Sequence, residues 1–204
     1  MENQLNLIHK LKKVKFIPEV YITNRCNQNC LFCSADVNSS VCYIKEDKLK
    51  NIIEILKELS LFSDSIKITG GEPTIRKDFL EIVKFAKKIG FQKIIIESNG
   101  QSFSNFVFAQ KTIEAGANDF FISFHGYNKK LHDLLTQSPG SFLRTKQGII
   151  NLKKLNQRVR VNVVINTKNY KNLQKIIILL EKLKVDSVTF SFIIVSGKAK
   201  RDRK

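Results

Sequence analysis

The chain has 204 residues, of which 43% are hydrophobic and 26% are charged, so it is long enough for one domain with a substantial core and short for two. Its longest apolar runs, such as IIILL at 176–180, are too short to span a bilayer, and its first residues show no secretory signal. Composition therefore excludes a membrane protein and predicts a cytoplasmic one, in which thiols stay reduced.

The formal net charge of +17 admits two interpretations. A basic excess can mark a nucleic-acid partner. Here, however, lysine outnumbers arginine and is spread through nearly every predicted helix, and no RNA-binding signature with interleaved aromatic residues is present. We therefore expect solvated lysine faces rather than a nucleic-acid footprint.

Short β-rich runs alternate with amphipathic helical patterns, and several of the β-rich runs are apolar on both faces, as buried parallel strands are. The strands are predicted at 18–23, 65–69, 93–98, 119–124, 158–165 and 187–194, and the helices at 46–59, 78–89, 105–115, 141–156 and 171–184. This alternation predicts an α/β fold with a parallel sheet, either open or closed into a barrel. Functional residues should then follow the C-terminal ends of the strands.

Three cysteines follow the first predicted strand, in the stretch TNRCNQNCLFCS at 23–34. The spacing of Cys26, Cys30 and Cys33 would also suit small apolar residues on one helix face, but the polar NQN between them and the preceding strand end favour thiolate ligation of a metal. With Cys42 as a fourth ligand the site could be a tetrahedral zinc. Without it, three thiolates fit an iron–sulfur cluster that has one iron left open.

Three further unusual stretches close the next strands, namely GGEP at 70–73, SNG at 98–100 and SFHG at 123–126. Two adjacent glycines let the backbone approach a ligand without interference from a Cβ atom, and Pro73 cannot continue a hydrogen-bond ladder. Since parallel strands end at one rim, we expect all of these stretches to meet the cysteines there.

The segment CNQNCLFC resembles the CxxxCxΦC motif of the radical S-adenosylmethionine (radical SAM) superfamily, with Phe32 as the aromatic residue before the last cysteine. The TGGEP segment after the second strand strengthens the resemblance, which extends from about Pro18 to Ile194. In that family three cysteines hold a 4Fe–4S cluster whose fourth iron is chelated by S-adenosylmethionine. Reductive cleavage of S-adenosylmethionine then yields a 5′-deoxyadenosyl radical that takes a hydrogen atom from the substrate.

The resemblance implies a (β/α)6 partial TIM-type barrel and a set of site residues. Cys26, Cys30 and Cys33 would be cluster ligands, and Cys42 would not. The implied residues of the cofactor-binding site are Phe32, Gly70, Gly71, Glu72, Pro73, Ser98, Asn99, Ser123 and Asn162.

Two of these residues have a structural interpretation beside the functional one. The segment that contains Glu72 resembles the one that binds the methionine ammonium group, although the carboxylate could instead tie down the neighbouring loop. Asn99, followed by Gly100, is equally typical of a turn. Ser123 matches a family position that contacts S-adenosylmethionine.

Two residues are candidates for the substrate side. His125 should lie at the mouth of the cavity, with His132 and Asp133 bracing the loop that follows. Lys67 stands where the similar GTP cyclase of molybdenum-cofactor synthesis carries a substrate-binding arginine. Because a lysine cannot reproduce the bidentate fork of an arginine, we do not transfer that substrate.

The resemblance divides the chain into a basic N-terminal extension (1–17), a radical SAM core (18–196) and a basic tail (197–204). It also implies an external one-electron donor similar to flavodoxin or ferredoxin. Family members usually continue beyond the sixth strand, so we expect either a core completed by a partner subunit or a shortened chain. The competing hypothesis is a zinc-stabilised or degenerate α/β binding module without catalytic activity, which could bind RNA.

Overall fold

A computed structural model describes residues 16–34 and 48–201 of the chain. Within them one sheet contains six parallel strands, and each strand is hydrogen-bonded to the next one in chain order. The strands are β1 (Glu19–Tyr21), β2 (Ser65–Thr69), β3 (Lys93–Ser98), β4 (Asp119–Ser123), β5 (Arg158–Ile165) and β6 (Ser187–Phe192). The sheet is open between β1 and β6, which confirms the predicted parallel partial barrel.

Helices connect successive strands and cover one face of the sheet, and a further short helix follows β6. They are α1 (Leu49–Ser60), α2 (Phe79–Lys88), α3 (Phe106–Glu114), α4 (Lys129–Thr136), α5 (Ser141–Lys154), α6 (Leu173–Lys182) and α7 (Gly197–Arg201). Five of them match the predicted helices to within about three residues, whereas α4 and α7 were not predicted. Their shortness explains the omission, since eight and five residues span too few turns to display a helical period.

The two faces of the sheet differ in polarity because side chains alternate along each strand. Ile66, Ile68 and Ile96 are completely buried in the core between the sheet and the helices. The opposite face carries charged residues such as Lys67 and Glu97, which form an ion pair with each other. β2 is therefore not one of the strands that are apolar on both faces, since Lys67 lies on its inner face.

The parallel arrangement brings the C-terminal ends of all six strands to one rim, where the cysteine segment follows β1. Among the described residues, no helix combines the length and the apolar character needed to cross a membrane. Cys42 and most of the predicted N-terminal extension lie outside the described residues.

Candidate functional site

A cavity of about 360 Å³ opens at the C-terminal rim of the sheet. It brings together most of the residues that the sequence singled out: Cys26, Cys30, Phe32, Cys33, Gly70, Gly71, Ser98, Asn99, Ser123, His125 and Asn162. Glu72, Pro73 and Lys67 do not line it. The cavity thus contains the thiols, a glycine turn and polar strand ends, while the assignment of each residue to a cofactor stays a prediction.

The cysteine loop, defined here as residues 26–34, is held by the C-terminal end of α4. The backbone N–H of Asn29 donates to the carbonyl oxygen of Thr136 at 3.0 Å, and that of Leu31 donates to Leu135 at 3.0 Å. The last carbonyls of a helix have no partner within it. The unpredicted helix α4 therefore supplies the acceptors that give the loop its shape.

The three thiols face one cavity but do not form a group that could hold a single metal ion, as far as the described residues extend. Burial raises the pKa of Cys26 to about 11 and that of Cys30 to about 12, and the neighbouring thiols add to this effect. Ligation therefore requires a cationic group that offsets the cost of buried thiolates. A multinuclear iron–sulfur cluster fits such a donor set, because each thiolate can bind a different iron.

The glycine pair packs directly against the beginning of the cysteine segment. A Cβ atom on Gly70 would lie 2.4 Å from the carbonyl oxygen of Thr23, and one on Gly71 would lie 2.3 Å from that of Arg25. The backbone N–H groups of Gly71 and Glu72 donate to those same two oxygens, each at 2.8 Å. The glycines are therefore required for the close approach of two backbone segments, in addition to lining the cavity.

The carboxylate of Glu72 connects two loops of the rim. Its Oε1 atom accepts hydrogen bonds from the backbone and hydroxyl of Thr74 and from the hydroxyl of Ser98, and Oε2 accepts from the backbone N–H of Asn99 at 2.7 Å. The residue is completely buried. Burial raises the pKa of Glu72, although these hydrogen bonds oppose the effect. The geometry favours the interpretation in which Glu72 ties down the neighbouring loop.

Polar strand ends form the opposite wall of the cavity. Ser123 and Asn162 are paired in register on β4 and β5, and Asn162 Oδ1 accepts a hydrogen bond from Ser191 on β6. Asn99 closes a turn, as its structural interpretation predicted, and also contacts the cysteine loop, while its cofactor role stays a prediction. Its Oδ1 closes the turn by accepting from the backbone N–H of Gln101, while its Nδ2 donates to Asn27 in the cysteine loop.

Two buried histidines lie at the cavity, His125 in its wall and His132 beside His125. His125 is 2% exposed, and its Nδ1 accepts a hydrogen bond from the backbone N–H of Val164. The Nδ1 of His132 accepts from the backbone N–H of His125. Asp133 accepts from the backbone N–H groups of Gly140 and Phe142. His132 and Asp133 thus brace this region as predicted, and a substrate role of His125 stays a prediction.

These histidines predict a specific pH dependence of stability. Burial lowers the pKa of His125 to about 3 and that of His132 to about 4, whereas an unfolded histidine titrates near 6.5. Between about pH 6.5 and pH 4 the unfolded chain therefore binds protons that the folded chain does not, so stability is lost as the pH falls. Each histidine should contribute about 1.4 kcal/mol per pH unit to the free energy of unfolding.

Urea unfolding of the wild type and of His132→Asn between pH 6 and pH 5 measures this contribution. The asparagine retains a hydrogen-bond acceptor for the backbone of His125 and cannot titrate. The free energy of unfolding should change less steeply with pH in the variant, by the amount that corresponds to about one proton. Equal slopes would contradict the neutral state of His132.

The inner face of the sheet carries a cluster of charged residues, of which the sequence analysis assigned only Lys67. Lys67 lies 2.5 Å from Glu19 and 3.4 Å from Glu97, and its ammonium group faces the ring of Phe121. Glu97 lines the cavity, whereas Lys67 does not. The alternation along β3 places Glu97 on the opposite face of the sheet from the buried Ile96, and this alternation could have identified it.

Comparison with known proteins yields a family and several relatives. The family model described as the radical SAM superfamily matches residues 20–191. A 7,8-dihydro-6-hydroxymethylpterin dimethyltransferase of Methanocaldococcus jannaschii is 32% identical over 147 residues, which cover 71% of this chain and 29% of the relative. A probable GTP 3′,8-cyclase of Saccharolobus islandicus is 29% identical over 172 residues, which cover 83% of this chain and 54% of the relative.

A solved structure supports the same fold. Streptococcus suis SuiB bound to S-adenosylmethionine superimposes with a TM-score of 0.77 at 19% identity, over 100% of this chain and 48% of that one. The chain thus spans between about a third and about half of the length of these proteins.

Proposed function

The chain belongs to the radical SAM superfamily, and on this premise we propose that it is an enzyme that binds a 4Fe–4S cluster through Cys26, Cys30 and Cys33 and binds S-adenosylmethionine beside it. When bound, these cofactors supply a one-electron cleavage of a carbon–sulfur bond, which yields methionine and a deoxyadenosyl radical able to take a hydrogen atom from a substrate. The electron comes from an external donor similar to ferredoxin or flavodoxin, and we expect the enzyme to act in the cytoplasm.

One observation carries the proposal: three thiols, a glycine turn and polar strand ends share a single cavity. The thiols supply the ligands, and the cysteine loop is already shaped by its hydrogen bonds to α4. Gly70 and Gly71 present backbone without side chains to the cavity, which suits close contact with the amino-acid part of a cofactor. Ser123 and Asn162 offer hydroxyl and amide groups for a ribose.

The remaining residues of the wall would orient these groups and exclude water. The ring of Phe32 contacts that of His125 edge to face, with centroids 4.7 Å apart. Burial keeps His125 neutral by lowering its pKa to about 3, so it adds no charge beside the thiols. A dry wall of this kind would protect a reactive radical from side reactions.

Anaerobic reconstitution with iron and sulfide tests the proposal. We expect a brown protein that holds about four irons per chain, as a 4Fe–4S cluster requires. On reduction with dithionite in the presence of S-adenosylmethionine, it should release 5′-deoxyadenosine, which chromatography detects. A colourless protein with stoichiometric zinc and no deoxyadenosine would contradict the proposal and would favour a zinc-stabilised binding module.

A further inference from the structure

The segment that follows β6 contacts the cysteine loop, although the sequence analysis assigned its residues from Gly197 onward to a basic tail. The hydroxyl of Ser196 donates to the carbonyl oxygen of Ser34 at 2.9 Å, and the backbone N–H of Ala199 donates to that of Cys33 at 3.0 Å. Part of the predicted tail thus forms α7 and packs against the metal-binding segment, while the predicted domain boundary itself stays untested.

Lys198, also in α7, contacts the cysteine loop through its charged ammonium group. Its ammonium group donates to both the backbone carbonyl oxygen and the side-chain Oδ1 of Asn29, each at 2.8 Å. Hydrogen bonds from a charged donor are about twice as strong as neutral ones. Asn29 immediately precedes Cys30, and its own N–H is bonded to α4. The loop is therefore held by hydrogen bonds to two elements, α4 and Lys198.

We propose that Lys198 is a positioning residue for the iron–sulfur cluster, which holds the cysteine loop in its ligating shape and places a fixed positive charge beside it. Reduction adds one negative charge to the cluster, and a neighbouring ammonium group stabilises that charge. The charge therefore makes the cluster easier for the external one-electron donor to reduce. This inference rests on the proposed function, because it concerns the cluster that the cysteines would hold.

Three variants of the full chain separate this role from general stability. Lys198→Met retains most of the apolar stem and removes the charge and the donors, whereas Lys198→Arg retains both. Lys200→Met is the matched control, since Lys200 lies on the same helix and is exposed. All three are compared with the wild type.

The first measurement is amide hydrogen exchange at Asn29 and Leu31 in the protein without iron. In Lys198→Met these amides should exchange about tenfold faster, as expected for the loss of a hydrogen bond to a charged group. The other two variants should behave like the wild type. Unchanged exchange in Lys198→Met would overturn the proposal.

The second measurement is the midpoint potential of the reconstituted protein, followed by electron paramagnetic resonance. It should become more negative in Lys198→Met, so that the reduced fraction at a fixed donor potential falls several-fold, and it should return to the wild-type value in Lys198→Arg. An unchanged potential in Lys198→Met would overturn the effect of the charge. A wild-type protein that takes up no iron would instead overturn the proposed function, while the exchange result would still show whether Lys198 holds the loop.

Discussion

Replacing Cys30 with serine is expected to abolish retention of the iron–sulfur cluster and, with it, formation of deoxyadenosine. Cys30 is the thiol whose pKa burial raises furthest, to about 12, so only a tightly bound metal would keep it ionised. A serine hydroxyl is harder than a thiolate and is a poor ligand for iron–sulfur clusters. Iron and sulfide contents after desalting, with the visible absorbance, measure the loss.

Cys42→Ala is the control for this prediction. The resemblance implies that Cys42 is not a ligand, and the residue lies outside the described part of the chain. The variant should therefore hold as much iron as the wild type. If it loses iron while Cys30→Ser retains it, our assignment of the three ligands is wrong.

Sequence periodicity was sufficient to predict the sheet. The bounds of β2, β3 and β5 match the prediction to the residue, because long β-branched runs between turn residues leave little ambiguity. β6 ends at Phe192, two residues before the predicted end. The apolar composition continues past that point, and composition alone does not show where the ladder of hydrogen bonds stops.

The site could be predicted from the sequence only where a local motif specifies it. The cysteines and the glycine pair are contiguous motifs, and the parallel topology brings them to one cavity. Lys198 is separated from Asn29 by 169 positions, and its contact depends on how α7 packs. Such a contact is a property of tertiary structure. The basic composition of the tail is typical of solvated segments and gave no indication of it.

The role of Glu72 illustrates the same limit, because its motif indicated a cofactor residue while its contacts indicate a structural one. The carboxylate is completely buried and links Thr74 to Ser98 and Asn99, which are distant in sequence. The motif alone could not distinguish the two glycines of the turn, which line the cavity, from the side chain of Glu72, which does not line it and bonds to the neighbouring loops.

Replacing Glu72 with alanine is therefore expected to lower the free energy of unfolding by about 3 kcal/mol or more. The substitution leaves two buried backbone N–H groups, those of Thr74 and Asn99, without their acceptor, and each such loss costs about 1–3 kcal/mol. The hydroxyl of Ser98 can still donate elsewhere by rotation and should add less. Urea unfolding at pH 7, with and without reconstituted iron, measures the change.

Two further variants show whether the lost acceptor causes this effect. Glu54→Ala removes an exposed carboxylate from α1 and should change stability by no more than about 0.5 kcal/mol. Glu72→Gln preserves the shape and one acceptor oxygen but directs an amide donor at existing donors, so its destabilisation should lie between those of the two alanine variants. Since the same carboxylate orders Ser98 and Asn99 at the cavity wall, the iron content should follow the loss of stability. A Glu72→Ala protein as stable as Glu54→Ala would contradict the structural role. It would instead favour the interpretation in which the carboxylate binds the cofactor.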